Sequence, residues 1–457
     1  MLQNRQKWNM SMVSTIMTLA WPTMLEQAMQ TAVQYIDTAM VGTLGTYATA
    51  AVGATSTVSW LIGSSTSALG VGFLSFIARS HGAGNREDAA RASAQSVFVT
   101  LIVGLLFTAV CLGLSGYVPV LMQVDPAIRS LSAQYFFILY ASMLPRTAST
   151  IFGMVLRAAG DTKSPMKIGI GVNLINVVLN FLLIYPTRTV AGILIPGAGM
   201  GVVGAAVASA AAFTFGGIVI TIVLWKHPDI SPRGRSIRPD PVILHPCMKV
   251  ALPNMLQRFG TSLGYVAFAS MVNSLGEVAT AAHTIANTVE SAFYIPGYGM
   301  QTAAATLVGN AYGARDKKRM EEISSMFLPI EVVLMVISGS ALFAFAPLLM
   351  GIFSDSPEVI NLGTTVLRMV ALSEPFYGVS IIVEGMMQGV GKTKAPFVYN
   401  IIGMWGFRIM GTYICTQFLG FGLVCAWGCM IGHNMLLFVL FLRTYISDKW
   451  NPMCDKH

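Results

Sequence analysis

The chain has 457 residues, 54% hydrophobic and only 11% charged, with a formal net charge of +8. A soluble domain carries about 25% charged residues, so these values and a mean hydropathy of +0.65 exclude an ordinary soluble enzyme and point to lipid. The positive balance needs no nucleic acid, because its placement along the chain reads as membrane orientation.

Stretches of about 20 apolar residues are long enough to cross a bilayer. Cutting the chain at Gly, Pro and charge clusters predicts spans at 13–42, 48–78, 90–115, 128–157, 165–186, 200–225, 247–274, 279–311, 321–348, 359–389, 395–417 and 421–446. The expected fold is an all-α polytopic membrane protein with 12 transmembrane helices. Arg5 and Lys7 precede the first span and no small-residue cleavage site follows it, so it reads as a retained helix. Most of the 28 Lys and Arg residues fall on one side of that topology. They include Arg79, Arg86, Arg91, Lys163, Arg233, Arg235, Lys317, Lys392 and Lys456, whereas the opposite side keeps Arg129 and Arg188. Both termini are therefore expected in the cytoplasm.

The chain repeats itself. LAWPTMLEQ (19–27) lies over VALPNMLQR (250–258), LGTYATAAVGATSTV (44–58) over LGEVATAAHTIANTV (275–289), and LRAAGDTKSPM (156–166) over MQGVGKTKAPF (387–397), all at an offset of 231. Later, GVVGAA (201–206) meets GLVCAW (422–427) at an offset of 221, so about ten extra residues lie between the last two spans of the first half. Two pseudo-symmetric six-helix lobes are expected, residues 1–225 and 247–457, joined by a cytoplasmic linker at 226–246 rich in Pro and Arg. Parallel repeats of this kind are one transporter architecture, with the substrate path at the interface of the repeats.

The pattern P-x-x-x-E-Q…D-T-A-M-V-G-x-L-G in the first span, the GAGN loop after the second and LRAAGDTKSP after the fourth carry a family resemblance. The chain resembles the multidrug and toxic compound extrusion (MATE) family over nearly its whole length. That resemblance implies two six-helix lobes with a central cleft, and export of small-molecule drugs against an inward flow of Na⁺ or H⁺.

A charge within the hydrocarbon costs at least about 2.5–3.5 kcal/mol on insertion scales and usually faces a cavity or a partner. On the first span Glu26, Gln30, Gln34 and Asp37 are spaced i, i+4, i+8, i+11, along one helical face. Such a stripe is expected to line a water-accessible substrate cleft; the alternative is that Asp37 only bonds neighbouring helices or caps the span. The fifth span places Asn173, Asn176 and Asn180 on one face. Amide oxygens suit a small cation and an amide also bonds a protonated carboxyl, while membrane Asn commonly bridges helices. The family resemblance implies an ion site joining the first-span Asp to Asn and Asp on the fifth span and a hydroxyl on the sixth. Carried over, Asp37, Asn176 and Ser209 match in type. Asn180 stands where the second carboxylate would be. Na⁺ at Asp37, Asn176 and Asn180 remains an alternative, but desolvation favours the neutral form of a lone carboxyl, so H⁺ is the expected coupling ion.

Adding 231 sends Glu26, Gln30, Gln34 and Asp37 to Gln257, Thr261, Tyr265 and Phe268, and the three asparagines to Met404, Phe407 and Gly411. The second lobe lacks the stripe's carboxylates and the fifth-span amides, which favours function over architecture for those in the first. It has its own intramembrane charges, Arg258, Glu290, Glu374, Glu384 and Arg408. Glu290 is expected either to attract cationic drugs or to pair with Arg258 or Arg408, and Glu374 precedes Pro375 in an interrupted tenth span.

Cys425 and Cys429 are i, i+4 on the last span and, with no partner His or Cys assigned to them, read as no metal site. His81 and His283 read as loop-side, solvated or capping. GAGN follows no strand and completes no dinucleotide fingerprint. No Walker GxxxxGK[ST] and no Ser/His/Asp constellation appear, so neither an ATP-driven pump nor a hydrolase is expected. The sequence reads as a non-enzymatic, secondary-active multidrug exporter without cofactor, a monomer in the plasma (inner) membrane. It antiports amphipathic cations against H⁺ or Na⁺ and binds no nucleic acid. The alternatives are a flippase for a lipid-linked substrate, or an uncoupled channel or sensor.

Overall fold

A computed structural model describes residues 10–121, 124–190 and 193–454. Arg5, Lys7 and Lys456, counted above for orientation, lie outside the described residues. The chain is helical nearly throughout, and its helices fall on the twelve expected spans. In the first half these are Met10–Gly42, Thr46–Gly82, Arg86–Leu114, Arg129–Ala141 continued by Met143–Ala158, Lys163–Leu183 and Gly201–Lys226. In the second half they are Pro241–Asn273, Glu277–Phe293 continued by Ile295–Gly313, Lys317–Phe353, Pro357–Ala371 continued by Glu374–Val390, Lys394–Phe418, and Leu423–Ile446. Among the described residues, six helices are long and apolar enough to cross a membrane alone. The tenth span does so as a pair of helices, Pro357–Ala371 and Glu374–Val390, bent by 53° at the break before Glu374, with Pro375 in the first turn of the second helix, where it is tolerated.

The repeat is present in the backbone as well as the sequence. Gly45 and Gly276 open the second and eighth spans at φ 106° and 107°, and Gly160 and Gly391 end the fourth and tenth at 88° and 85°. Only Gly adopts this region at little cost. Asn85 caps the third span by accepting from the Asp88 N–H at 3.0 Å, and Asp316 caps the ninth by accepting from the Arg319 N–H at 2.9 Å. Each side chain satisfies an otherwise orphaned helix-end donor. The two halves are built from the same turns.

Contacts group the described residues into two compact units. One comprises Leu25–Ile77 and Asn85–Met248; the other comprises residues up to Met24, Ala78–Gly84 and the chain from Lys249 onward. In the first, the sixth span packs so closely on the fourth that a Cβ at Gly217 would collide with the Pro145 main chain. In the second, a Cβ at Gly389 would meet the Ala305 main chain. Small residues allow such backbone approach where helix association has no hydrophobic drive.

The ten extra residues form an antiparallel hairpin, Pro186–Val190 with Ile193–Ala198, Arg188 pairing with Ile195. Sequence pattern did not reveal these strands. Tyr185 ties the base of the hairpin to the end of the first span, its hydroxyl 2.9 Å from Thr43 Oγ1 and 3.2 Å from the Met40 carbonyl. Arg188 lies 3.7 Å from the Tyr185 ring centroid.

The linker is docked on the start of the third span. Arg86 pairs with Asp229 at 3.2 Å, Arg91 with Asp240 and Arg235 with Glu87, both at 2.5 Å. These partly exposed pairs contribute little each. Gln95, buried to 2% exposure, holds the segment more firmly: its Nε2 donates to the Arg238 carbonyl at 2.8 Å and its Oε1 accepts from the Asp240 N–H at 3.0 Å. Gln95→Leu should leave those main-chain groups unsatisfied, at about 1–3 kcal/mol, and speed tryptic cleavage after Arg233 and Arg235 several-fold. Unchanged cleavage would show that the ion pairs alone hold the linker.

Candidate functional site

The unit containing the first-half spans gathers Asp37, Asn176, Asn180 and Ser209 into one hydrogen-bonded set. Asn173, Asn176 and Asn180 are all buried on the inner face of Lys163–Leu183. Asn180 Nδ2 donates to Asp37 Oδ1 at 2.6 Å and to Asn176 Oδ1 at 3.0 Å. The Asn176 amide lies between Asp37 and Ser209, and its two orientations have different consequences. In one, Nδ2 donates to Ser209 Oγ at 3.0 Å and Oδ1 faces the Asp37 carboxyl. In the other, Nδ2 donates to the Asp37 oxygens at 2.8 and 3.1 Å and Oδ1 accepts from Ser209 Oγ. The second suits a carboxylate. The first suits a protonated carboxyl, whose hydroxyl donates to Asn176 Oδ1 while Asn180 donates to both neighbours. Asn180 Oδ1 and, on the same helix face, Asn173 Nδ2 are buried without a hydrogen-bond partner.

The rest of the first-span stripe divides. Glu26 is buried and forms an ion pair with Arg157 of the fourth span, their side chains 11% and 9% exposed. A Cβ at Gly169 would stand 3.1 Å from Glu26 Cγ, so the fifth span closes over the pair. Gln30 and Gln34 lie between, with exposed side chains. The stripe is thus a buried ion pair at one end and the Asp37 network at the other.

The other unit shows what the repeat retains. At the position equivalent to Asp37, Phe268 is buried and the Arg408 guanidinium lies 4.2 Å from its ring centroid and 4.8 Å from that of Tyr265. The equivalents of Glu26 and Arg157 are Gln257 and Gln388. Both reach Glu384, whose Oε1 accepts from Gln257 Nε2 at 2.9 Å and Gln388 Nε2 at 3.1 Å, while Oε2 accepts from Asn400 Nδ2 at 3.2 Å. A polar tie between the opening and fourth helices therefore exists in both lobes, as an ion pair in one and an amide-caged carboxyl in the other.

Glu290 and Glu374 are buried at 7% and 2% exposure. Among the described residues no ion pair within 4 Å joins Glu290 to Arg258 or Arg408, contrary to the pairing weighed from sequence; Arg408 is instead stacked on aromatic faces. Tyr294, Tyr298 and Tyr377 lie close by, with ring centroids 5.5 and 6.4 Å apart. Glu331, absent from the sequence-based candidates, is fully buried with neither carboxyl oxygen hydrogen-bonded. His283 is not a loop-side residue: it is buried in Glu277–Phe293, and its Nδ1 accepts from Trp427 Nε1 at 3.2 Å. Cys425 and Cys429 are not isolated from a third thiol either, because Cys415 of the preceding span lies beside them. Charge placement alone reads Arg157 as a cytoplasmic helix end, whereas the structure turns it inward onto Glu26. The repeat partner of Arg157, Gln388, is the one signal in the sequence that marked it as inward-facing.

Comparison with known proteins agrees with this architecture. The MatE family profile matches residues 22–182 and again 253–414, two copies that begin at the repeat offset. A probable multidrug resistance protein NorM of Thermotoga maritima is 26% identical over 435 residues, covering 95% of this chain and 92% of that protein. A probable multidrug resistance protein YpnP of Bacillus subtilis is 25% identical over 420 residues, 90% of each chain. The crystal structure of a MATE protein in complex with MaL6 superposes with a TM-score of 0.88 at 25% identity, covering 95% of this chain and 96% of that one. An outward-facing multidrug resistance MATE transporter shares the fold, with a TM-score of 0.89 at 23% identity over 99% of this chain and all of that one. The profile covers most of the chain, in both halves and in order. The chain belongs to the MATE family of membrane transporters, with twelve spans in two six-helix lobes.

Proposed function

We propose that this multidrug efflux transporter is driven by protons taken up at Asp37, and that its substrates are amphipathic cations. The observation that carries the reading is the Asn176 amide, which completes the hydrogen bonds of Asp37 in one orientation when the carboxyl is charged and in the other when it is neutral. Protonation and an amide turn together exchange one bonded set for another and alter the hold of the first span on the fifth and sixth. Differential bonding of this kind is what allows an ion to bias a two-state equilibrium. Asp37 is the sole carboxylate of the set, with Asn180 and Ser209 supplying neutral partners, which supports H⁺ over Na⁺. In the second lobe the buried Glu290 and Glu374 beside tyrosine rings support cationic substrates, since rings and carboxyls both attract an organic cation. The acidic and amide-rich set disfavours a pyrophosphate-linked lipid, which calls for clustered cations. In this reading the protein acts in the plasma membrane with both termini cytoplasmic.

In proteoliposomes free of Na⁺, a pH gradient alone should drive efflux of a fluorescent cationic drug. Efflux that responds only to a sodium gradient at clamped pH would reject proton coupling and assign the Asp37 set to Na⁺. Asp37→Asn should lower gradient-driven efflux at least tenfold at matched protein level without loss of folding, because the second lobe folds with Phe268 at the equivalent position. Asn176→Ala and Asn180→Ala should each weaken coupling, whereas Phe407→Ala and Gly411→Ala, their second-lobe counterparts, should leave the pH dependence of transport intact. Equal losses in the two sets would remove the distinction between the lobes.

A further inference from the structure

The last two spans meet in a tight turn at Leu419–Gly422, where the Phe421 N–H donates to the Cys415 carbonyl at 2.9 Å. Cys415 lies in a π-helical segment, Ile414–Phe418, at the end of the eleventh span. Such segments carry an extra residue per turn, shift a side chain out of α-helical register and recur at functional sites. Cys425 and Cys429 are one turn apart on Leu423–Ile446. Together the three sulfurs lie within 4.8 Å of one another, and Cys415 Sγ stands 3.8 Å from Cys429 Sγ. Gly411 faces this cluster, and a Cβ there would come within 3.2 Å of Cys429 Sγ. Among the described residues no His, Asp or Glu joins the group.

We propose that Cys415, Cys425 and Cys429 form a three-thiolate site for a soft, thiophilic cation of low coordination number, with monovalent copper the best fit. Thiolates at about 2.3 Å from a metal stand about 3.8–4.0 Å apart in trigonal or tetrahedral geometry, the spacing that Cys415 and Cys429 already have. A disulfide needs the sulfurs at about 2.05 Å, and at 3.8 Å Cys415 and Cys429 are free thiols. An all-sulfur donor set selects soft ions and disfavours Mg²⁺, Ca²⁺ or Na⁺. Structural zinc sites almost always take four protein ligands, and the cluster offers three. Binding displaces the thiol protons, so affinity should fall as pH falls. The ion would fasten the tip of the final hairpin, and the site is independent of Asp37.

The test is titration of the reduced full-length protein with Cu(I), in anaerobic competition with a chromophoric Cu(I) chelator. The wild type should bind one Cu(I), with X-ray absorption reporting three sulfur neighbours at about 2.3 Å. Cys415→Ser, Cys425→Ser and Cys429→Ser should each weaken binding at least tenfold, whereas Cys111→Ser and Cys247→Ser should not. In the unmodified chain, Cu(I) should slow alkylation of Cys415, Cys425 and Cys429 relative to Cys454, a readout that needs no variant to fold. Unchanged affinity in the triple serine variant, fewer than three sulfur neighbours, tighter binding of Zn²⁺ than of Cu(I), or no protection from alkylation would each overturn the proposal.

Discussion

One carboxyl group placed at membrane depth organises the first lobe. Asp37 cannot be left without partners in a low-dielectric interior, where a lone charge is costly. The fifth span meets that demand with Asn180 at 2.6 Å and with Asn176, and Asn176 passes the constraint on to Ser209 of the sixth. Three helices are tied through one titratable group. Nearby, Tyr185 and the hairpin hold the end of the first span, so the surroundings of Asp37 are fixed while its own hydrogen bonds can be exchanged.

The repeat separates what a six-helix lobe needs from what this lobe adds. Turn glycines, helix caps and a polar tie between the opening and fourth helices occur in both halves, so they belong to the architecture. The Asp37 network occurs in one half only. Its counterpart is Phe268 beneath the Arg408 guanidinium, an arrangement with no acidic proton to exchange. A buried ion pair such as Glu26–Arg157 often contributes little net stability but is costly to break. The replacement of both its charges by Gln257 and Gln388 around Glu384 is consistent with a positional rather than energetic role.

Most of the fold was legible in the sequence because a membrane imposes long apolar runs, and because the chain repeats its own turns at one fixed offset. The interruption of the tenth span was marked by Pro375, but those at Ser142 and Tyr294 were less visible, since a bent span keeps its composition. The hairpin at 186–198 and the π-helical turns of the eleventh span left no periodic signal. At the site, spacing placed Asp37 and the three asparagines on helix faces, the family resemblance added Ser209, and Asp37, Asn176, Asn180 and Ser209 share one hydrogen-bonded set. Spacing also joined Glu26 and Asp37 into one stripe, which the structure divides because Arg157 draws Glu26 to the fourth span. Cys415 was missed for a related reason: thiols on successive helices become neighbours only when the turn between them is known.

Under the proposed coupling, a proton on Asp37 biases the protein toward a state with lower affinity for drug. Equilibrium binding of a cationic drug to the purified protein, measured across pH without Na⁺, tests it most directly, because linkage requires each ligand to lower the affinity for the other by the same factor. Below the pH at which Asp37 takes its proton, the dissociation constant of the wild type should rise with falling pH, and Asp37→Asn should keep only the shallower dependence that Glu290 and Glu374 contribute. A wild-type affinity independent of pH, or the same slope in both proteins, would contradict the account.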